Sequence, residues 1–346
     1  MKIQFIYAIL ISVFVLSFLS YITFGSYTIS IREVIEIFAY KMGIVYSTDI
    51  SLSKQFIVFE SRLPRSLVAI LVGSSISVSG AAMQGLFRNP LADPGLIGIS
   101  SGASLAAAVL IVFGVSITSS SSLFGMYFLS FFTFLGACIA AFLVFRFSTK
   151  QGRTIISMML LSGIAIAAFA ESVRGIASYY ADEAQLKDLT FWLLGSLSGA
   201  NWKEVLMLLP FTFIPILVLP RMHKDLNSLS LGESNASLLG VNTNGLKRKI
   251  IVLVTLAVGA SVAAIGVISF IGLVVPHIIR LVAGPDNKHV LLLCILLGGI
   301  ILLVADLICR TLVSPSELPL GVVTSLIGAP IFLSILINQR KKSTLS

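Results

Sequence analysis

The chain is short of the residues on which soluble proteins and enzymes depend. Only 11% of its 346 residues are charged, against 57% hydrophobic, where soluble domains carry about a quarter charged. A water-soluble globular fold is therefore excluded. Its three cysteines, Cys138, Cys294 and Cys309, lie inside apolar runs at unrelated spacings; they read as small hydrophobes, not as a disulfide framework or a metal set. Its three histidines, His223, His277 and His289, are scattered, with no i, i+4 pair and no acid cluster beside them, a poor basis for a haem ligand or a metal site. No G-x-x-x-x-G-K-[ST] phosphate loop occurs, so nucleotide chemistry would have to come from another chain.

Long apolar runs are what the chain does have. A membrane-spanning helix needs roughly 20 mostly apolar residues, and candidate helices fall at 5–24, 63–86, 95–115, 123–145, 154–178, 203–220, 249–268, 270–284, 289–309 and 320–338. The runs are continuously apolar, whereas barrel strands alternate in polarity. The expected fold class is an all-α integral membrane protein of about ten transmembrane helices, one transmembrane domain over 1–346. The first run follows a single lysine and lacks a small-residue cleavage site, so it reads as a retained helix.

Charge orients the chain. Lysine and arginine concentrate at the termini and in the links 87–94, 146–153, 221–248 and 285–288, including Arg221, Lys224, Lys247 and Arg248 in the longest link and Arg340, Lys341 and Lys342 near the end. The positive-inside rule then places both termini in the cytoplasm. The net charge of +9 follows from topology, with no nucleic acid partner required. Trp192 and Trp202 share an outer link, as an interfacial aromatic belt would.

A shift of 186 residues pairs Arg62 with Arg248, Val68 with Val254, Val72 with Val258, Gly73 with Gly259, Ser75 with Ser261, Gly80 with Gly266, Pro90 with Pro276 and Gly98 with Gly284. The two copies, about 62–200 and 248–338, enter their helices from opposite sides, the arrangement of an inverted-topology repeat. The competing account is chance coincidence of small residues, which are common in packed membrane helices. The run "GSSISVSGAAMQG", Gly73 to Gly85, and "GISSGASLAAA", Gly98 to Ala108, place small residues where neighbouring backbones can approach, so both helices should be central.

Between those runs lies "FRNPLADPGLIGISSGAS", Phe87 to Ser104. Pro90 and Pro94 each remove a donor and bias the preceding residue away from helix, so the second helix stops near Arg88 and the third restarts after Pro94. Non-helical backbone at membrane depth is tolerated only where it is buried in protein or lines a watery cavity. A constriction at Asn89, Pro90 and Leu91 is the expectation.

The stretch "RLPRSLVAILVGSSISVSGAAMQGLFRNPLADPGLIGISSGAS" closely resembles the signature region of the permease subunits of type II ABC importers for iron-siderophores, haem and cobalamin. The resemblance continues through "LGESNASLLGVN", "GVISFIGLVVPHIIRLVAG" and "LPLGVVTSLIGAPIFLSIL", and so covers nearly the whole chain. It implies a ten-helix subunit of a bacterial inner membrane that pairs with a second copy to form a homodimer. It also implies two cytoplasmic ATP-binding subunits, which use ATP and magnesium, and a periplasmic substrate-binding protein; no cofactor is expected on this chain. The segments "ADEAQLKDLTFWLLGSLSGANW" and "LFRNPLADPGLIG" look most like the haem branch.

Residue roles follow from matching positions. In the cytoplasmic coupling segment 221–248, Leu231, Gly232, Glu233, Leu239 and Gly240 would meet the ATPase; an ordinary surface helix is the alternative. Gly232 or Ser234 can start that helix and Gly240 can stop it. Arg62, Arg65 and Arg310 lie at outer links, against the charge bias, and would dock acidic residues of the binding protein, or else snorkel among headgroups. Asp306 and Arg310, at i, i+4, can pair on one helix face; a proton relay would need more intramembrane acids. Glu171 and Arg174, at i, i+3, either neutralise each other or face the pathway and guide an anionic cargo. An ATP-independent secondary transporter is the rival reading of the repeat and broken helices.

Overall fold

The computed structural model describes residues 3–25, 27–44, 49–114, 123–314 and 316–343, without the side chains of 123–126, 335, 336 and 338–343. The basic side chains Arg340, Lys341 and Lys342 thus lie outside the described residues, as do Met1 and Lys2. The chain is almost wholly helical: α1 Ile3–Thr23, α2 Ile31–Lys41, α3 Leu52–Phe56, a π-turn segment Ile57–Arg62 leading into α4 Leu63–Phe87, a 3-10 turn Pro94–Ile97, α5 Ile99–Phe113, α6 Leu123–Ser148, α7 Ile156–Tyr180, α8 Glu183–Leu194, α9 Trp202–Val218, α10 His223–Ser230, α11 Glu233–Leu238, α12 Thr243–Ile265, α13 Ile271–Ala283, α14 Asn287–Thr311 and α15 Leu320–Ser343. Strands β1 Thr149–Lys150 and β2 Arg153–Thr154 make a two-residue antiparallel hairpin between α6 and α7.

Among the described residues, each of the ten apolar runs coincides with helix over most of its length. Among the described residues, seven helices are long and apolar enough to cross a membrane, and three shorter apolar ones, α5, α13 and the first part of α15, accompany them. Helices α2, α8, α10 and α11 were not among the ten runs, because they are too short or too polar to stand out by hydropathy. For α2 and α8 the caps carry the signal instead. Ser30 with Glu33, and Asp182 with Gln185, form capping boxes, in which side chain and backbone satisfy each other's orphan donors.

Helix α4 is the axis of the bundle, packed by α14, α12, α13 and α9. Small residues make this possible. A Cβ on Gly73 would overlap the Gly298 carbonyl of α14, and one on Gly80 would overlap that of Gly272 in α13. Ser74 donates to the Ile295 carbonyl at 2.7 Å, and the Ser75 and Ser261 hydroxyls meet at 3.2 Å where α4 crosses α12. Packing and interhelical hydrogen bonds of this kind replace the hydrophobic drive that lipid does not supply. The expectation of a central helix holds for α4; α5 buries one face, with Gly102 set against Gly136 of α6.

The spacing of Asp306 and Arg310 misled: they do not pair with each other. Arg65 from α4 grips Asp306 through Nε and Nη2 at 2.9 and 2.8 Å, and the Tyr21 hydroxyl donates to the same carboxylate at 2.5 Å. A tertiary fork with two parallel donors outcompetes a local i, i+4 contact, for which the two side chains would have to bend along one helix. Arg310 instead lies 4.0 Å from the Tyr21 ring centre and donates to the Tyr21 carbonyl.

Candidate functional site

Three regions carry the chemistry-bearing residues. The first is the break after α4. Arg88 closes the helix in the left-handed region, with φ 51°, and Asn89 turns the chain, its Oδ1 accepting from the Leu91 amide at 2.9 Å. Asn89 and Pro90 are exposed and Leu91 half-buried. Asp93 then caps the 3-10 turn, accepting from the Gly95 amide at 2.7 Å, and Pro94 fills the first position, where no donor is needed. Burial raises the Asp93 carboxyl above its ordinary pKa. Gly98, at φ 77°, resets the chain for α5, a conformation that costs a side-chain-bearing residue about 1 kcal/mol or more.

Beside the restart of α5, Ser100, Ser101 and Ser104 share an open depression with Glu171 and Arg174 of α7, together with Ala167, Leu193 and Val267. Glu171 and Arg174 form the i, i+3 ion pair that their spacing allows. The tertiary structure therefore brings the α7 pair to the broken segment, a proximity no local pattern announces. A second break lies nearby: α12 ends at Ile265, Gly266 follows at φ 80°, and Phe270 sits at φ 70° before α13. The sequence-based boundary at 268 ran past this break because Gly266 alone, without a proline, is a weak stop signal.

The second region is the link 221–248. Gly232, at φ 108°, precedes α11, and a Schellman closure ends it: Val241 bonds back to Ala236 and Gly240 to Ser237, both at 3.0 Å, with Gly240 at φ 84°. Glu233 is tied to Lys247 of α12 at 2.7 Å, and the same buried ammonium donates to the Thr154 carbonyl of the hairpin at 2.8 Å. The clamp holds α11 against the body while leaving Leu231, Leu238 and Leu239 exposed by 63%, 86% and 62%. Leu238, the most exposed of the three, escaped the sequence reading, which followed motif positions and not exposure. The Arg88 guanidinium lies 3.8 Å from where a Cβ on Gly232 would stand, so the α4 break and the start of α11 are neighbours.

The third region is the opposite end of α4. Arg62, Arg65 and Arg310 are only 3%, 8% and 7% exposed. Arg62 donates to the Ile22 and Thr23 carbonyls at 2.5 and 2.9 Å and to that of Tyr27, closing the C-terminus of α1, where carbonyls lack helical partners. Arg65 adds Glu317 to its grip on Asp306, at 2.8 and 2.9 Å. That hydrogen bonding holds the Glu317 carboxyl below its usual pKa. The histidines lie apart: His289 meets Tyr7 at 3.2 Å, His223 meets the Pro220 carbonyl at 2.9 Å, and His277 is buried in α13.

The FecCD transport family matches residues 10–338. The chain is 42% identical over 285 residues to the hemin transport system permease protein HmuU of Yersinia pestis, covering 81% of this chain and 83% of that one. Against the vitamin B12 import system permease protein BtuC of Yersinia pseudotuberculosis it is 39% identical over 291 residues, covering 83% and 84%. The solved inward-facing structure of a metal-chelate type ABC transporter superposes with a TM-score of 0.83 at 30% identity over 97% of this chain and 99% of that one. PsaBC of Streptococcus pneumoniae, at 17% identity, shares the fold alone, with a TM-score of 0.54 over 87% of this chain and 94% of that one.

Proposed function

The chain belongs to the FecCD transport family as a multi-pass membrane protein, and from that premise we propose that it is the permease subunit of an ATP-driven importer of an iron complex, with haem as the favoured cargo. Two copies form the pathway between them, two cytoplasmic ATPases bind ATP and magnesium, and a periplasmic binding protein delivers the cargo across a bacterial inner membrane. Both termini and the link 221–248 face the cytoplasm. The contact of Ser75 with its repeat mate Ser261 supports an inverted repeat, since a residue and its image touch only on the symmetry axis.

One observation carries the proposal. A six-residue helix, clamped through Glu233 to a buried lysine, carries the bare Leu238 and is flanked by the bare Leu231 and Leu239. Exposed apolar groups gathered on one short element mark an interaction surface. Leu231, Gly232, Glu233, Leu239 and Gly240, with Leu238, form the ATPase contact, and Arg88 relays its movement to the gate at Asn89, Pro90 and Leu91. Glu171 and Arg174 line the pathway. Arg62, Arg65 and Arg310 serve docking of the binding protein, and to receive an outside carboxylate Arg65 has to share or release Glu317. Cobalamin or a ferric siderophore is the second reading of the cargo, because the haem and cobalamin relatives stand at nearly equal identity.

Affinity purification of the tagged chain in mild detergent, with subunit ratios measured, tests the assembly. Two permeases with two ATPases are expected. Recovery of this chain alone, transporting without nucleotide, would favour a secondary transporter. Uptake of haem against cobalamin in the reconstituted complex then decides the cargo.

A further inference from the structure

We propose that the cleft between α6, α9 and α12 is a binding site for the amine headgroup of a membrane phospholipid. The cleft holds about 170 Å³ and is walled by Tyr127, Phe131 and Phe134 of α6, Glu204 and Phe211 of α9, and Ala264 of α12. Two polar atoms within it are hidden from solvent without a partner: Glu204 Oε2 and the Tyr127 hydroxyl. The start of α9 satisfies that carboxylate only in part: the Asn201 backbone amide donates to it, while Oε2 keeps no partner. An acid facing an apolar cleft at the membrane is costly unless something pairs with it.

The chemistry of the walls selects the partner. A hard metal ion would ask for several charged or carbonyl oxygens, whereas the cleft offers one carboxylate and the hydroxyl of Tyr127, with Ser130 and Asn201, among aromatic rings, Phe134 and Phe211 lying 5.1 Å apart at their centres. An ammonium suits both, through a charge-assisted hydrogen bond and ring faces. The source of that ammonium is the bilayer. Phe131, Met207 and Phe211 are exposed on the outer side of the cleft, so it opens where acyl chains lie. Lys203, exposed beside Glu204, is placed to meet a phosphate, and Trp202 at the start of α9 marks headgroup depth. A carboxylate within and a lysine at the rim complement a zwitterionic ethanolamine phospholipid.

Native mass spectrometry of the intact, delipidated chain, titrated with phosphatidylethanolamine and phosphatidylglycerol of identical acyl chains, tests this. Phosphatidylethanolamine should be retained at least about tenfold better. Glu204→Gln should bring the two lipids to parity while leaving the melting temperature close to that of the parent. Should that variant fold poorly, Ala264→Phe closes the cleft with the carboxylate in place and should abolish the preference equally. Equal retention of both lipids by the parent chain, or a preference that survives both substitutions, overturns the site. Displacement by soluble phosphoethanolamine would overturn the lipid as its occupant.

Discussion

At the scale of single residues, the strongest feature is the carboxylate of Asp306, almost completely buried between Arg65 and Tyr21. Removing one member of a buried pair costs about 3 to 5 kcal/mol when the other charge is left uncompensated; here Arg65 keeps Glu317, which limits the loss to about 3 kcal/mol or less. Asp306→Ala should therefore destabilise the chain by about that much in a detergent melting experiment. The double variant with Arg65→Met should recover part of the loss, and a purely additive result would deny the coupling. Asp93 behaves oppositely, because burial raises its pKa. A folded value above the unfolded one, about 3.9, means the folded chain binds the proton more tightly. The resulting stabilisation is complete below the unfolded value and is lost as pH rises through the folded one. Asp93→Asn keeps an acceptor for Gly95 and should equal or exceed the parent in stability at neutral pH, with a flatter pH dependence.

Among elements, close approach and clamping make opposite demands on substitution. Gly80 faces the Gly272 backbone, whereas Gly175 in α7 has open space within 4 Å of a new Cβ. Gly80→Leu should drive α4 from α13 and abolish the folded fraction recovered by size-exclusion chromatography; Gly175→Ala should leave it unchanged. The clamp on α11 predicts a different phenotype. Glu233→Gln frees a short helix that has little stability of its own, so ATP hydrolysis in the assembled complex should continue while uptake falls at least about tenfold. Uptake that tracks hydrolysis in that variant would remove Glu233 from the coupling path. The helices α10 and α14 are joined by Asn227, which donates to Asp286 at 2.8 Å and accepts from the Asn287 amide at 3.0 Å; the Asn227 bond leads the factors holding the Asp286 carboxyl below its usual pKa.

For the whole molecule, the proposed orientation makes one face of the bundle an ATPase platform and the other a docking face. A single cysteine at Leu238, in a background with Cys138, Cys294 and Cys309 replaced by alanine, should react with an impermeant maleimide only in inside-out vesicles. Labelling from the outside would invert the topology and with it the assignment of the link 221–248. Arg62 and Arg310, by contrast, are turned toward the end of α1, so reversing them should disturb that helix as well as docking. Salt dependence separates the two effects, since docking between exposed charges weakens with ionic strength while buried contacts are little screened.

Hydropathy and proline placement were enough to find the long apolar helices among the described residues and the break after α4, because lipid forces backbone hydrogen bonds into continuous apolar helices wherever the chain crosses. The glycine stops around α11 were legible for a local reason, their left-handed backbone. Partner choice among buried charges was not. Arg65 and Asp306 are 241 residues apart, and only the approach of α4 to α14 through Gly73 and Gly298 decides that they meet. The cleft at Glu204 likewise exists only where α6, α9 and α12 converge. Local sequence sets which segments become helices and where they end; which faces touch depends on long-range packing of small residues, and that is a property of the folded chain.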